Sequence, residues 1–136
     1  MKESMETTAE VAAARAAGEA GDAGVVLVTV RNSGRLNAMS RAMWRQLLLQ
    51  CAAHYLAREL VDGKPVDPVA RFHLGNGARV ERLNWAGDPS AKGHKQSYGL
   101  MVNYLYDLKR IDKHRSLLAE GKVAASREIE SLSALR

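Results

Sequence analysis

The sequence predicts an α/β (α+β) fold with a small, mainly antiparallel sheet and packed helices. Three observations carry that expectation. Val25 to Val30 is a β-branched run of strand composition, and apolar residues at 44, 47, 48, 51 and 55 keep a helical period. Between two apolar stretches stands Asn76-Gly77, the dipeptide that most favours a two-residue hairpin turn because Asn and Gly best tolerate positive φ. With 136 residues, 46% of them apolar, the chain can hold one core. A chain of about 150 residues buries roughly 70% of its unfolded surface.

Residues 1–22 carry Lys2 and Arg15 against Glu3, Glu6, Glu10, Glu19 and Asp22, a net of −3. Rich in Ala, Glu and Gly, this segment is expected to be a flexible N-terminal piece, frayed or loosely helical. A strand over 24–31 follows, then a helix from about 40 to 60 with Ser40 as N-cap. Val61-Asp62-Gly63-Lys64-Pro65 stops that helix, since Gly and Pro end it.

The Asn76-Gly77 turn predicts a hairpin over 69–85, with strands Val69–Gly75 and Ala78–Trp85. Pairing would set His73 opposite Val80, with Phe72 and Leu74 on the other face. Gly87–Lys95 reads as a loop. A helix from about 98 to 112 would turn Leu100, Met101, Tyr104, Leu105 and Leu108 inward, with Ser97 near its cap. A last helix after Ser126 places Glu128 and Glu130 near its positive end. Val123–Ala125 could add a fourth strand.

His73 is the residue best suited to chemistry. A neutral imidazole exchanges a proton near pH 7, and a rigid element would fix its position. A half-exposed strand histidine without chemistry fits the spacing as well. The histidines at 54, 73, 94 and 114 have no close ligand spacing with cysteine or carboxylate, so no metal site is expected. Cys51, the only cysteine, excludes an internal disulfide and reads as a structural thiol on the helix stripe.

The overall charge of +5 leaves +8 on residues 23–136, which suits an anionic ligand such as the phosphates of CoA. Nucleic acid would use the same charge, but aromatics are only 5% of the residues and no nucleic-acid-binding motif is present. No apolar run approaches the roughly 18 residues of a membrane span, and no secretory signal opens the chain. The end, Ala134-Leu135-Arg136, is not a peroxisomal address, so the expected location is cytoplasmic.

Residues Phe72-His73-Leu74, Asn76-Gly77, Arg82-Leu83-Asn84-Trp85, Asp88, Ser90, Gly93, Ser97 and Gly99-Leu100-Met101-Val102-Asn103-Tyr104 follow one another in an order that resembles the C-terminal catalytic region of malonyl-CoA decarboxylases. The likeness runs back over Cys51-Ala52-Ala53-His54-Tyr55-Leu56 and covers about residues 47–136. It implies a partial acetyltransferase-like domain and an enzyme of fatty-acid metabolism that converts malonyl-CoA to acetyl-CoA and carbon dioxide without a cofactor. It also implies that His73 is the catalytic proton donor, with Asn76, Ser97 and Tyr106 as substrate-binding positions. For Tyr106 a packing role at the sheet rim fits equally well, and for Ser97 so does capping.

The family pairs its histidine with a serine in an upstream Ser-Pro segment. None of the nine serines here is followed by proline. The family also has a helical oligomerisation domain that 136 residues cannot hold beside the catalytic unit. The resemblance thus implies the last part of such an enzyme, with weak or no turnover alone and room for a complementing subunit or oligomer. Val25-Val26-Leu27-Val28 and Ser33-Gly34-Arg35-Leu36-Asn37-Ala38-Met39-Ser40 resemble the opening of enoyl-CoA hydratases of the crotonase superfamily. That gives three segments: 1–22 flexible, 23–46 crotonase-like strand and helix start, and 47–136 decarboxylase-like. The last two meet near Gln46–Gln50, as in a fusion. A non-catalytic module that binds CoA thioesters or another subunit is the second reading. A truncated product without function is the third.

Overall fold

The computed structural model describes the backbone of residues 10–15 and 26–31 and, in full, residues 40–134. The chain divides into two compact units, Met1–Leu48 with Leu135–Arg136, and Leu49–Ala134. In the first unit β1 (Glu10–Arg15) pairs antiparallel with β2 (Val26–Arg31), from Glu10 opposite Arg31 to Arg15 opposite Val26. The predicted strand is therefore found. Residues 10–15, expected to be frayed or helical, gain their order by pairing with it. The Ser33–Met39 stretch, expected to be crotonase-like, lies outside the described residues.

Helix α1 (Arg41–Ala57) begins where the sequence places it, with the Ser40 hydroxyl accepting the Met43 N–H at 3.2 Å. Its buried stripe differs from the expected one. Leu47 is buried as expected, but Ala53, Leu56 and Ala57 form the rest of the buried face, while Trp44 and Tyr55 are exposed. Leu and Ala lie on several faces of this helix, so apolar spacing alone did not select one. Cys51 is half-buried and unpaired, and burial pushes its thiol above its usual range.

The segment Asp62-Gly63, expected only to stop the helix, is a two-residue hairpin turn. It joins β3 (Leu60–Val61) to β4 (Lys64–Pro65), with φ of +52° and +74° at its two positions. Asn76-Gly77 does something else. Residues expected to form the first hairpin strand are helix α2 (Pro68–Gly75), and Asn76 is its C-cap. The hairpin over 69–85 is therefore corrected to a helix followed by one strand, β5 (Arg79–Asn84). The physical reason is local: Asp67 caps the helix start, Pro68 occupies its first turn, and Gly77, at φ +91°, follows its end.

The predicted loop at Gly87–Lys95 contains the start of α3 (Ala91–Ser97), whose first turn is capped by Ser90 Oγ accepting the Gly93 N–H at 3.0 Å. The predicted helix over 98–112 is also corrected. Tyr98 and Gly99 take left-handed φ of +53° and +78°, which turns the chain out of α3. Met101–Leu105 then runs as strand β6, antiparallel to β5, with Val80 opposite Tyr104 and Asn84 opposite Met101. Exposure alternates along β6, so Met101, Asn103 and Leu105 face outward and Val102 and Tyr104 inward.

Helix α4 (Ile111–Ala119) follows, then α5 (Arg127–Ser133), which begins after Ser126 as the sequence predicts. The Ser126 hydroxyl accepts from Ile129 N–H and donates to the Glu81 carbonyl at 2.8 Å, joining α5 to β5. Val123–Ala125 contributes one parallel bridge, Ala125 to Val80, instead of a strand. The core of the second unit gathers Ala53, Leu56, Ala57, Ala70, Leu74, Val80, Leu83 and Ile129. Full burial of Leu74, Val80 and Ile129 contributes about 1.5–3 kcal/mol each.

Candidate active site

Helix α2 has only eight residues, and its stability comes from its ends and its buried face. Asp67 Oδ2 accepts the Ala70 N–H at 2.8 Å, the Asn76 N–H reaches back to the carbonyls of Phe72 and His73, and the Gly77 N–H to that of Leu74. Ala70 and Leu74 are buried, four residues apart on the face against the core. His73, one residue before Leu74, consequently sits at the core's rim in the last helical turn.

Strand β6 brings the second half of the site. Tyr104 is on its inward face, and its ring stacks on the His73 imidazole with centroids 4.5 Å apart and planes 19° apart. Tyr106, two residues on, hydrogen-bonds His73 Nδ1 through its hydroxyl at 2.7 Å. On the helix expected over 98–112 these two tyrosines would face different ways. Extended backbone puts residues i and i+2 on one side, so both reach the same histidine. Phe72 packs against the imidazole edge to face, centroids 5.1 Å apart.

The Asp67 carboxylate acts electrostatically on Tyr104 and on Tyr55. Burial, first, and then the negative charges of Asp67 and Tyr55 hold the Tyr104 phenol well above its usual range. Among the described residues its buried hydroxyl has no hydrogen-bond partner. Burial, the Asp67 charge and a hydrogen bond to Asp67 raise the Tyr55 phenol too. All three groups escaped the sequence reading as site residues. Asp67-Pro68, with Pro68 opening eight residues that end in Gly75, was the available sign, since it marks a helix start rather than a strand.

Two of the sequence-predicted site residues, His73 and Tyr106, are brought into contact. Asn76 lies three residues beyond His73, with its side chain exposed and its N–H committed to the helix end. The Ser97 hydroxyl points to the carbonyls of Gly93 and Leu100, at 3.3 and 2.8 Å. The Gly99 N–H donates to the Gly93 carbonyl at 3.1 Å. Among the described residues no group of three or more His, Cys, Asp or Glu side chains is placed to hold a metal ion. No described helix is long and apolar enough to cross a membrane.

A histidine held on one side by a tyrosine hydroxyl and on one face by a second tyrosine is a geometry for proton transfer from a fixed nitrogen. Residues 3–136 match the family described as malonyl-CoA decarboxylase C-terminal domain. The chain belongs to that family. It is 44% identical over 88 residues to the mitochondrial malonyl-CoA decarboxylase of Rattus norvegicus, covering 64% of this chain and 18% of that protein. To the enzyme of Anser anser anser it is 48% identical over 62 residues, 46% of this chain and 12% of that one.

Among solved structures, malonyl-CoA decarboxylase from Cupriavidus metallidurans superposes with a TM-score of 0.66 at 49% identity, over 68% of this chain and 24% of that one. The Agrobacterium vitis enzyme gives 0.64 at 52% identity, over 68% and 23%. The α/β fold thus agrees with family members. The chain spans about a fifth of the length of the curated relative from Rattus norvegicus, 18%, and about a quarter of the Cupriavidus structure, 24%.

Proposed function

We propose that this chain carries the proton-delivering part of a malonyl-CoA decarboxylase site, with His73 as donor. The observation that carries the reading is the His73–Tyr106 hydrogen bond beneath the Tyr104 stack. In decarboxylation the bond between the α-carbon and the carboxylate breaks, carbon dioxide leaves, and the electron pair remains as a thioester enolate. That carbon then takes one proton to give acetyl-CoA. In the imidazolium form Nδ1–H donates to the Tyr106 oxygen, which leaves Nε2–H directed to the substrate carbon. His73 ends neutral and is reprotonated from solvent.

The enolate oxygen must be stabilised as well. The chain has no Ser-Pro segment such as the family carries upstream. Turnover by this chain alone is therefore weak or absent, and a partner completes the site. Asn76 belongs to the substrate side of the proposal through its exposed place just past His73. Ser97, whose hydroxyl proton serves backbone carbonyls, can only accept a hydrogen bond from a ligand. The test is release of labelled carbon dioxide from carboxyl-labelled malonyl-CoA, beside His73→Ala of equal fold content. Turnover lost on substitution supports His73 as donor, and turnover retained excludes it.

A non-catalytic role in binding a CoA thioester is favoured instead if malonyl-CoA binds the folded chain and His73→Ala changes neither affinity nor product. A separate, crotonase-like origin of residues 23–46 is supported by the unit boundary after Leu48, inside the Gln46–Gln50 junction read from sequence. The family match extends across that junction, over residues 3–136. A single transcript read through codons 40–60 is required by the fusion, and two separate neighbouring genes would refute it.

A further inference from the structure

Among the described residues His114 is the one ionisable side chain that is buried, at 6% exposed, and the proton delivery assigned to His73 makes no use of it. It stands in the first turn of α4 and reaches the end of α2, where its Nδ1 lies 3.0 Å from the Gly77 carbonyl oxygen. A carbonyl can only accept, so Nδ1 carries a proton and donates it to this bond. Among the described residues no backbone N–H reaches that carbonyl, and the imidazole is what satisfies it. Ile111, three residues earlier on α4, packs so closely on Gly77 that a Cβ there would not fit. Gly77 is tied in turn to His73. The residues on either side of it, Asn76 and Ala78, both donate their N–H groups to the His73 carbonyl, each at 3.1 Å. A movement of Gly77 therefore pulls on the backbone that carries the His73 imidazole.

We infer that His114 is a positioning residue for His73, and that residues 106–114 grip the last turn of α2 at two points. The Tyr106 hydroxyl, 2.7 Å from His73 Nδ1, orients the ring, and His114, eight positions later, fixes the backbone from which the ring extends. The turn between the two grips is itself held. The Asp107 carbonyl accepts the Arg110 N–H at 2.8 Å, and its carboxylate accepts the Lys109 N–H at 3.1 Å and faces the Arg110 guanidinium at 3.5 Å. Helix α2 needs such support, because eight residues are too few for a helix to be stable by itself. Fraying of its last turn would carry His73 away from a substrate, and a misplacement of about 1 Å can lower a rate about 100-fold. The inference rests on the His73 proposal for its functional meaning, while the grip on α2 is a property of the chain alone.

The experiment compares His114→Asn and His114→Leu in the whole chain, reading the imidazole nitrogen resonances of His73 and the exchange rate of the Ala78 amide. Asparagine places an amide N–H close to where the Nδ1–H of histidine stands, whereas leucine fills the space without a donor. His114→Leu should move the His73 Nδ1 resonance and speed Ala78 exchange by about tenfold. His114→Asn should restore the resonance and bring exchange back to within about threefold of the parent chain. An unmoved His73 resonance in a folded His114→Leu chain overturns the inference, and so does an equal change in both variants. The parent chain gives a reading that needs no variant to fold: in mildly alkaline solution His114 should hold its proton on Nδ1, and a proton on Nε2 with a bare Nδ1 overturns the inference as well. None of these readouts depends on turnover. If the resonances behave as expected while His73→Ala still releases carbon dioxide from malonyl-CoA, the positioning by His114 stands and the donor role of His73 falls. If His73→Ala abolishes release while His114→Leu leaves the His73 resonance unmoved, the donor role stands and the inference falls.

Discussion

The Tyr106 hydroxyl lies 2.7 Å from His73 Nδ1, and the two residues come from a short helix and the chain just past a strand, 33 positions apart. The bond fixes which nitrogen faces the protein and leaves Nε2 for a substrate. Tyr104 adds a stacked ring, so rotation of the imidazole out of plane is opposed as well.

Tyr106→Phe keeps the aromatic ring and deletes the hydroxyl. Loss of this exposed hydrogen bond costs about 1 kcal/mol of positioning, and turnover in any active assembly should fall about fivefold. The readout specific to positioning is the ring nitrogen spectrum: the Nδ1 resonance of His73 should move in the variant. An unchanged resonance would show that the bond does not persist in solution.

Tyr104→Phe separates stacking from the hydroxyl. The ring that packs on His73 remains, while a buried hydroxyl without a partner disappears. Stability in neutral solution should stay level or rise by up to about 1 kcal/mol, since such a group carries a desolvation cost. The pH dependence has a definite sign. The folded phenol titrates above its ordinary value of 10.0, so its contribution is complete below pH 10 and is lost as pH rises toward the folded value. Alkaline unfolding, followed by circular dichroism, should therefore shift to higher pH in the variant.

The hairpin was misread because the same dipeptide chemistry serves two structures. Asp62-Gly63 and Asn76-Gly77 both offer a residue tolerant of positive φ followed by glycine. Only the first has positive φ at both positions. The second ends a helix that the Asp67-Pro68 start had already committed, and Asn76 keeps φ at −88°. Flanking residues, not the dipeptide, decide. The stretch at 101–105 was ambiguous for another reason. Its apolar residues fit a helix, whereas alternate exposure appears only once β5 is there to pair with it. Elements fixed by their own ends were legible: α1 from Ser40, α5 from Ser126. His73 and Tyr106 were both visible as candidates, but the contact between them depends on a strand partner distant in sequence.

Asp67 has two roles that can be divided. Asp67→Asn keeps an N-cap acceptor for the Ala70 N–H and removes the charge, so stability should change by only a few tenths of a kcal/mol. Asp67→Ala removes both and should cost about 1 kcal/mol. In both variants the Tyr55 phenol should titrate lower, because the Asp67 charge and hydrogen bond help to raise it. Ultraviolet titration of the tyrosines checks this. A Tyr55 titration unmoved in either variant would detach Asp67 from the tyrosine pair.

Gly77→Ala and Asn76→Ala distinguish a helix end from a hairpin turn. A methyl group on Gly77 would lie 2.6 Å from Ile111 Cγ2 and 2.8 Å from the Ile111 carbonyl oxygen, at a φ of +91° that alanine disfavours. The neighbouring Gly77 carbonyl accepts from buried His114 Nδ1 at 3.0 Å, so the segment cannot shift freely to make room. Strain and overpacking together should cost about 2–4 kcal/mol. Asn76, exposed and at φ −88°, should tolerate alanine within about 0.5 kcal/mol. In a two-residue hairpin turn both positions would need positive φ, and both substitutions would be costly. Urea unfolding of the two variants therefore reads the local backbone directly: unequal losses require the helix end that carries His73, and comparable large losses would restore the hairpin.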